Sequence, residues 1–148
     1  SSRIYCDTSV FGGCFDDEFA EASNQLFEAF QQGTHVLVVS QTTLTELMDA
    51  PPEVRDLLKT VPEEFRESIP ATEEIDALRD AYLSAGIVGP ASKLDAAHIA
   101  AATVADVDVI VSWNFKHIVH YEKILGYDGV NLISGYSTIP IHSPLEVA

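Results

Sequence analysis

The sequence predicts an α/β fold built on a mainly parallel sheet. Short apolar runs rich in β-branched residues alternate with segments whose apolar residues recur every three or four positions, and no internal repeat or low-complexity stretch interrupts the pattern. Runs that are apolar at consecutive positions suit strands buried on both faces, because crossover helices cover each side of a parallel sheet. Residues 3 to 6 (RIYC) make the first strand, ended by Asp7-Thr8-Ser9. Gly12-Gly13 reads as a loop. From Asp16 to Phe30, the residues Phe19, Ala22, Ser23, Leu26, Ala29 and Phe30 keep helical spacing, and Gly33 stops that helix. Residues 35 to 39 (HVLVV) form a second buried strand ended by Ser40, followed by a helix from about Gln41 to Met48 that the Pro51-Pro52 pair closes. Residues 52 to 59 read as a short helix, and Glu67 to Pro70 as a strand or an extended link. Thr72 opens a helix carrying Ile75, Leu78, Arg79, Tyr82 and Leu83, which ends at Gly86. After Gly89-Pro90 an alanine-rich helix runs from about Ser92 to Ala105, its small side chains suited to close approach on a sheet. Residues 109 to 111 (VIV) give the next buried strand, with Asn131 to Ile133 and Ile139 to Ile141 as late edge strands.

A chain of 148 residues is expected to make one domain with a real core. With 47% hydrophobic and 21% charged residues it fits neither a disordered nor a fibrous class. No apolar run approaches the roughly 18 residues of a membrane helix, and the opening SSRIYCD lacks the basic start and apolar stretch of a secretory signal. The expectation is a soluble, cytoplasmic protein without a membrane partner. Cys6 and Cys14 have no CxxC spacing and read as free thiols of a reducing compartment.

Taken alone, the net charge of −15 argues against a nucleic-acid binder, since phosphate contacts want a basic surface. Its distribution is uneven: residues 1 to 50 hold eight acids and one base, 51 to 80 nine and four, 81 to 148 six and three. Any anion-binding patch must therefore be small, with Arg3, Lys93, Lys116 and Lys123 as candidates. The acidic surface also suits a basic partner protein or a saline cytoplasm.

Ligands of open parallel sheets sit beyond the carboxyl ends of the strands, so polar residues just after strands are the place to search. Three acids stand there: Asp7 after the first strand, Glu46 in the helix after the second, and Asp95 in the first turn of the alanine-rich helix. Ser112-Trp113-Asn114-Phe115-Lys116-His117 follows the next strand and adds an amide oxygen. Hard divalent cations take oxygen ligands, and converging carboxylates with no basic neighbour are relieved by such an ion. The matching chemistry is hydrolysis of a phosphodiester by a metal-activated water. Each acid also has a plain structural reading. Thr43 to Glu46 and Ser92 to Asp95 match the capping box, and Asp7 suits a turn or helix cap. The conjunction of the positions at one sheet end favours the site.

Asp7-Thr8-Ser9-Val10, Leu44-Thr45-Glu46-Leu47, Lys93-Leu94-Asp95-Ala96-Ala97-His98-Ile99-Ala100-Ala101-Ala102 and Val111-Ser112-Trp113-Asn114-Phe115 stand in the order of the acidic motifs of PIN domains. The resemblance is to the VapC-like toxins of toxin-antitoxin pairs and spans about residues 3 to 142. It implies a PIN-like three-layer sandwich with about five mainly parallel strands, and a Mg²⁺- or Mn²⁺-dependent endoribonuclease that cuts single-stranded RNA. Asp7, Glu46, Asp95 and Asn114 would be its catalytic and metal-binding residues, supported by the hydroxyls of Thr8 and Ser112. Apart from the resemblance, Lys93 and Lys116 lie two residues from Asp95 and Asn114 and could meet RNA phosphate, although solvated surface lysines are the favoured reading. A cognate antitoxin and a homodimer are the implied partners. Asn114 departs from the family, which commonly has Asp there; an amide removes one charge and cannot act as a base, though its carbonyl can ligate a metal or hold a water.

His98, one turn beyond Asp95, reads as a satisfied core residue, and the His117/His120 spacing finds no partner to complete a zinc site. Trp113 and Phe115 read as core anchors, and Tyr121, Tyr127 and Tyr136 as a possible interface cluster. A second reading is a catalytically weak or inactive PIN-like module that acts by binding an antitoxin. A third, a phosphatase with Asp7 as nucleophile, lacks the second Asp two residues on, where Ser9 stands; a receiver-like domain lacks the acidic pair.

Overall fold

The computed structural model describes residues 1–147. Five strands, β1 (Arg3–Cys6), β2 (Val36–Ser40), β3 (Arg66–Ile69), β4 (Val109–Val111) and β5 (Ile141–His142), form one sheet in the order β3-β2-β1-β4-β5. Every pairing is parallel, as the continuously apolar runs require. The helices are α1 (Thr8–Gly13), α2 (Ala20–Gln31), α3 (Gln41–Met48), α4 (Pro52–Asp56), α5 (Glu73–Ser84), α6 (Lys93–Val104), α7 (Tyr121–Ile133) and α8 (Pro144–Val147).

The pleat divides the core into two layers. Ile4, Cys6, Leu37, Val39, Val109 and Val111 face a cluster with Phe11 of α1, Leu26, Phe27 and Phe30 of α2, and Leu47 of α3. Tyr5, Val38 and Ile110 point the other way, toward Leu78 and Tyr82 of α5, Ile99 and Ala100 of α6, and Tyr127 of α7. This is the three-layer α/β sandwich expected from the resemblance. Among the described residues no helix is long and apolar enough to cross a membrane.

Four local readings need correction. Gly12-Gly13 is no loop: both lie in α1, because a Cβ on Gly13 would stand 2.7 Å from Trp113 Nε1, so glycine serves close packing there rather than a turn. The helix expected from Asp16 starts at Ala20, since the Asp16 carboxylate accepts the Glu18 N–H at 2.9 Å and holds residues 16–18 in a turn. The strand expected at Asn131 to Ile133 is the last turn of α7, a helix whose apolar period is masked by Gly126 and Gly129. The last strand is Ile141–His142, shifted from the expected 139–141. Asn131 is buried in α7 as the acceptor of the Tyr82 hydroxyl.

Candidate functional site

Because all five strands run parallel, their carboxyl ends share one edge. Connections leave β1 toward β2 and β4 toward β5, in opposite directions, so the crevice between β1 and β4 is the topological switch point. Asp7 follows β1 and Ser112 follows β4, and the Ser112 hydroxyl donates across that crevice to Asp7 Oδ2 at 2.6 Å.

Each acid accepts from at least one side chain of another segment, and Asp7, at the N-cap position of α1, makes no helix-capping bond. Its Oδ1 accepts from Ser9 Oγ at 2.5 Å and its Oδ2 from Ser112. In α3 the capping box is formed by Ser40 and Thr43, which frees Glu46 from the role its spacing suggested. Glu46 Oε1 accepts from Thr8 Oγ1 at 2.9 Å and lies 2.5 Å from His98 Nε2. Ser92 makes no capping bond to α6, so the second capping-box reading also fails. Asp95 Oδ1 instead accepts from Asn114 Nδ2 at 3.1 Å.

The hydrogen bonds close a circuit around the site. Asp7 is joined to Ser112, two residues from Asn114; Asn114 to Asp95; His98, one turn along α6, to Glu46; and Glu46 to Thr8, next to Asp7. Asn114 lies at the fourth corner of the site, as its motif suggested. Its carbonyl accepts the backbone N–H groups of Lys116 at 3.2 Å and His117 at 2.9 Å, and its amide nitrogen is turned to Asp95. Both lone pairs of that oxygen are thus engaged by the backbone, and the side-chain amide joins Asn114 to Asp95.

The electrostatics follow. Burial pushes the Asp7 carboxyl above its ordinary range, against the opposing pull of His98 and the two serine hydroxyls. Asp95 is pushed up by burial, against the opposing charges of His117 and His98, with smaller upward contributions from Asp7 and Glu46. Glu46 is partly desolvated, but its bond to His98, the charge of His98 and the Thr8 hydroxyl bring it below the usual range.

Of the eight lysines and arginines, six are engaged elsewhere. Arg3 stands at the opposite end of β1 from Asp7, bonded to Glu67 and to the carbonyls of Ala105 and Asp106, and is no part of an anion patch. Lys123 donates to the Ile87 carbonyl at 2.7 Å and is removed from the candidates too. Arg55, Lys59, Arg66 and Arg79 bond to the Met48 carbonyl, Asp56, the Leu58 carbonyl, and Asp76 with Asp80. Among the described residues only Lys93 and Lys116 make no such bond; both are exposed, and each is two residues from a member of the circuit.

Trp113 is a core anchor, stacked on Phe19 with its indole N–H donating to Ser23 Oγ at 2.8 Å. Phe115, expected beside it in the core, is 48% exposed at the site's rim. Tyr127 is fully buried and donates to the His117 carbonyl at 2.8 Å, which excludes it from an exposed interface cluster. A cavity of about 280 Å³ opens next to Glu46, lined also by Gln41, Thr42, Thr45, Asp49, Ala71 and Leu94.

Sequence reasoning missed Ser9, whose hydroxyl bonds Asp7 and accepts the Trp113 N–H at 2.9 Å; its place two residues after Asp7 was the available signal. The role of His98 toward Glu46 was also missed, since two residues 52 apart in the chain leave no local pattern.

Among the described residues no three acidic, histidine or cysteine side chains converge closely enough to cage a metal by themselves. The donor chemistry nevertheless fits a hard cation. Among the described residues, Glu46 Oε2 and Asp95 Oδ2 accept no hydrogen bond, and each Asp7 oxygen accepts only one. Mg²⁺ is ordinarily held by one or two carboxylates and several waters, which needs no closed cage.

No family model matches the sequence, and no curated protein matches it. Solved structures do. VapC20 of Mycobacterium tuberculosis, a sarcin-ricin loop cleaving toxin, superposes with a TM-score of 0.60 over 93% of this chain and 98% of its own, at 12% identity. VapBC2 of Rickettsia felis, bound to a DNA fragment from their promoter, gives 0.58 over 95% and 98%, at 10% identity. The chain therefore has the PIN-domain fold of VapC toxins, as its four motifs suggested.

Proposed function

We propose that this protein is a divalent-metal-dependent endoribonuclease acting on single-stranded RNA, the toxin of a cytoplasmic toxin-antitoxin pair. The observation that carries the reading is the closed circuit that holds Asp7, Glu46 and Asp95 at the switch point of a VapC fold. Asp7, Glu46 and Asp95 would hold Mg²⁺ or Mn²⁺, which supplies a Lewis acid for the phosphoryl oxygen and a water made acidic enough to attack. Ser9 and Ser112 fix Asp7, Thr8 and His98 fix Glu46, and Asn114 fixes Asp95, so the carboxylates need not reorganise when RNA arrives. Lys93 and Lys116 would take the phosphates flanking the cut. Lys93 occupies the first position of α6, where a cation opposes the helix dipole, and a local rule broken beside a site supports a functional demand.

The expected protein partner is an antitoxin with basic contacts, since residues 4 to 54 hold nine acids and no Lys or Arg. The same acidic surface is what favours the second reading, a module that works through protein binding with weak catalysis. The expected homodimer is supported by an exposed apolar stripe on α7, where Tyr121, Leu125 and Leu132 are 75%, 54% and 64% exposed. The deciding experiment is cleavage of a labelled single-stranded RNA in Mn²⁺. Cutting that disappears with EDTA and with Asp95→Asn is the expected result; a wild type as inert as Asp95→Asn leaves the binding-module reading in its place.

A further inference from the structure

His98 is 2% exposed, in the middle of α6, and both of its ring nitrogens are engaged. Nε2 lies 2.5 Å from Glu46 Oε1, and Nδ1 lies 2.6 Å from the hydroxyl of Tyr5. Tyr5, fully buried on β1, reaches in turn to Ser40 Oγ at 2.7 Å and Thr43 Oγ1 at 3.2 Å, the two residues that cap α3. A buried chain thus runs from the start of α3 through β1 and α6 and returns to α3 at Glu46. Filling space would not require it, because an apolar side chain packs a helix against a sheet without polar atoms to satisfy.

The contact has a directional result. A half-exposed glutamate near Asp7 and Asp95 gains by swinging into water, away from like charges. Thr8 and His98 both grip Oε1, from opposite neighbours, which stops that rotation and leaves Oε2 as the free atom. We propose that His98, oriented by the buried Tyr5 hydroxyl, is a positioning residue that fixes the rotamer of Glu46 and presents its second oxygen to the cation and RNA. This rests on the nuclease reading for its purpose, but the fixing of Glu46 stands on geometry alone.

Two substitutions separate positioning from packing. In His98→Gln the side-chain amide reaches the place of Nε2 and keeps a donor to Glu46; in His98→Asn it reaches only the place of Nδ1 and keeps the Tyr5 contact. The readouts are Mn²⁺ affinity by calorimetry, kcat and KM on labelled single-stranded RNA, and melting temperature. The expected result is that His98→Asn weakens Mn²⁺ binding by about 10- to 100-fold and lowers kcat more than it changes KM, while His98→Gln retains most of both. Equal behaviour of the two variants, or Mn²⁺ binding unmoved by either, overturns the proposal.

A wild type that neither binds Mn²⁺ nor cuts RNA defeats the nuclease reading without deciding this point. The double-mutant cycle of His98→Asn with Glu46→Gln, read as unfolding equilibria in EDTA, decides it separately. Coupling of about fivefold or more in the folding constant supports the fixed Glu46, and additive effects overturn it.

Discussion

Asn114→Asp restores the residue that PIN domains commonly carry, yet the geometry makes it costly until a cation is present. Asn114 Nδ2 now donates to Asp95 Oδ1 at 3.1 Å, and the Asn114 carbonyl is fixed by two backbone N–H groups. A carboxylate in the same rotamer places a second negative oxygen where the donor was. Two unit charges at that distance repel by about 5 kcal/mol at an effective dielectric of about 20 and about 1.3 kcal/mol in bulk water. The pair can escape by holding a proton, which limits the penalty to about 1.4 kcal/mol for each pH unit above the ordinary carboxylate value. The penalty is therefore capped near 1.5 kcal/mol at about pH 5 and lies between about 1.3 and 5 kcal/mol at about pH 7.5.

The sign follows from linkage. The paired carboxyl titrates higher in the folded protein than in the unfolded chain, so the folded state binds more protons and stability falls as pH rises between those two values. At roughly 3 °C per kcal/mol for a chain of this size, the variant should melt about 4 to 15 °C below wild type at about pH 7.5 in EDTA, and at most about 5 °C below it at about pH 5. Mn²⁺ should recover more of the loss in the variant than it adds to wild type, since a ligand that binds only the folded state stabilises it by mass action. Thermal melts at the two pH values, with EDTA or Mn²⁺, read all of this. A variant that melts with wild type at the higher pH in EDTA would refute the donated bond from Asn114 and the clamp built on it.

Other consequences follow from the same contacts. Asp7→Asn removes a buried carboxyl whose folded value is raised, so in EDTA the variant should exceed wild type in stability at neutral pH and lose the share of the pH dependence that Asp7 contributes, while its response to Mn²⁺ disappears; urea melts between acid and neutral pH check both. Gly13→Ala drives a Cβ to 2.6 Å from Ser23 Oγ and 2.7 Å from Trp113 Nε1, and should cost about 1 to 3 kcal/mol with a red-shifted tryptophan emission as the indole bond breaks. Tyr82→Phe strands the buried Asn131 carbonyl and should cost about 1 to 3 kcal/mol in a denaturant melt, leaving RNA cleavage unchanged because neither residue touches the site.

The sheet was legible because its inner strands are apolar runs, α5 because its Thr72 cap and apolar period agree, α3 because it lies between the strand that ends at Ser40 and the Pro51-Pro52 pair, and α6 because its alanines give high helix propensity. The losses have identifiable physics. Gly126 and Gly129 cancel the helical signal of α7, although Gly126 is needed where a Cβ would stand 2.5 Å from Ile87. Gly12-Gly13 copies the composition of a loop while one of its members serves packing. The three acids were legible as positions after strands, whereas their orientation was not, because every bond that holds them except Ser9 to Asp7 crosses at least 19 residues of sequence.

The acidic net charge, which by itself argued against an RNA substrate, changes meaning once the cations are placed. Six of the eight are consumed by carbonyls and carboxylates of the fold, so the surface offers almost nothing for nonspecific phosphate binding. The two left over stand on α6 and after β4, each two residues in sequence from Asp95 or Asn114. A nuclease arranged in this way would be repelled by RNA everywhere except at the cut. Its binding should then depend weakly on salt, with a slope set by about two phosphate contacts rather than the six to ten of a basic groove. Lys93→Ala should reduce that slope by about one contact. A steep slope, measured by RNA titration of the Asp95→Asn variant across a range of ionic strength, would show that cations elsewhere are released from their partners when RNA binds.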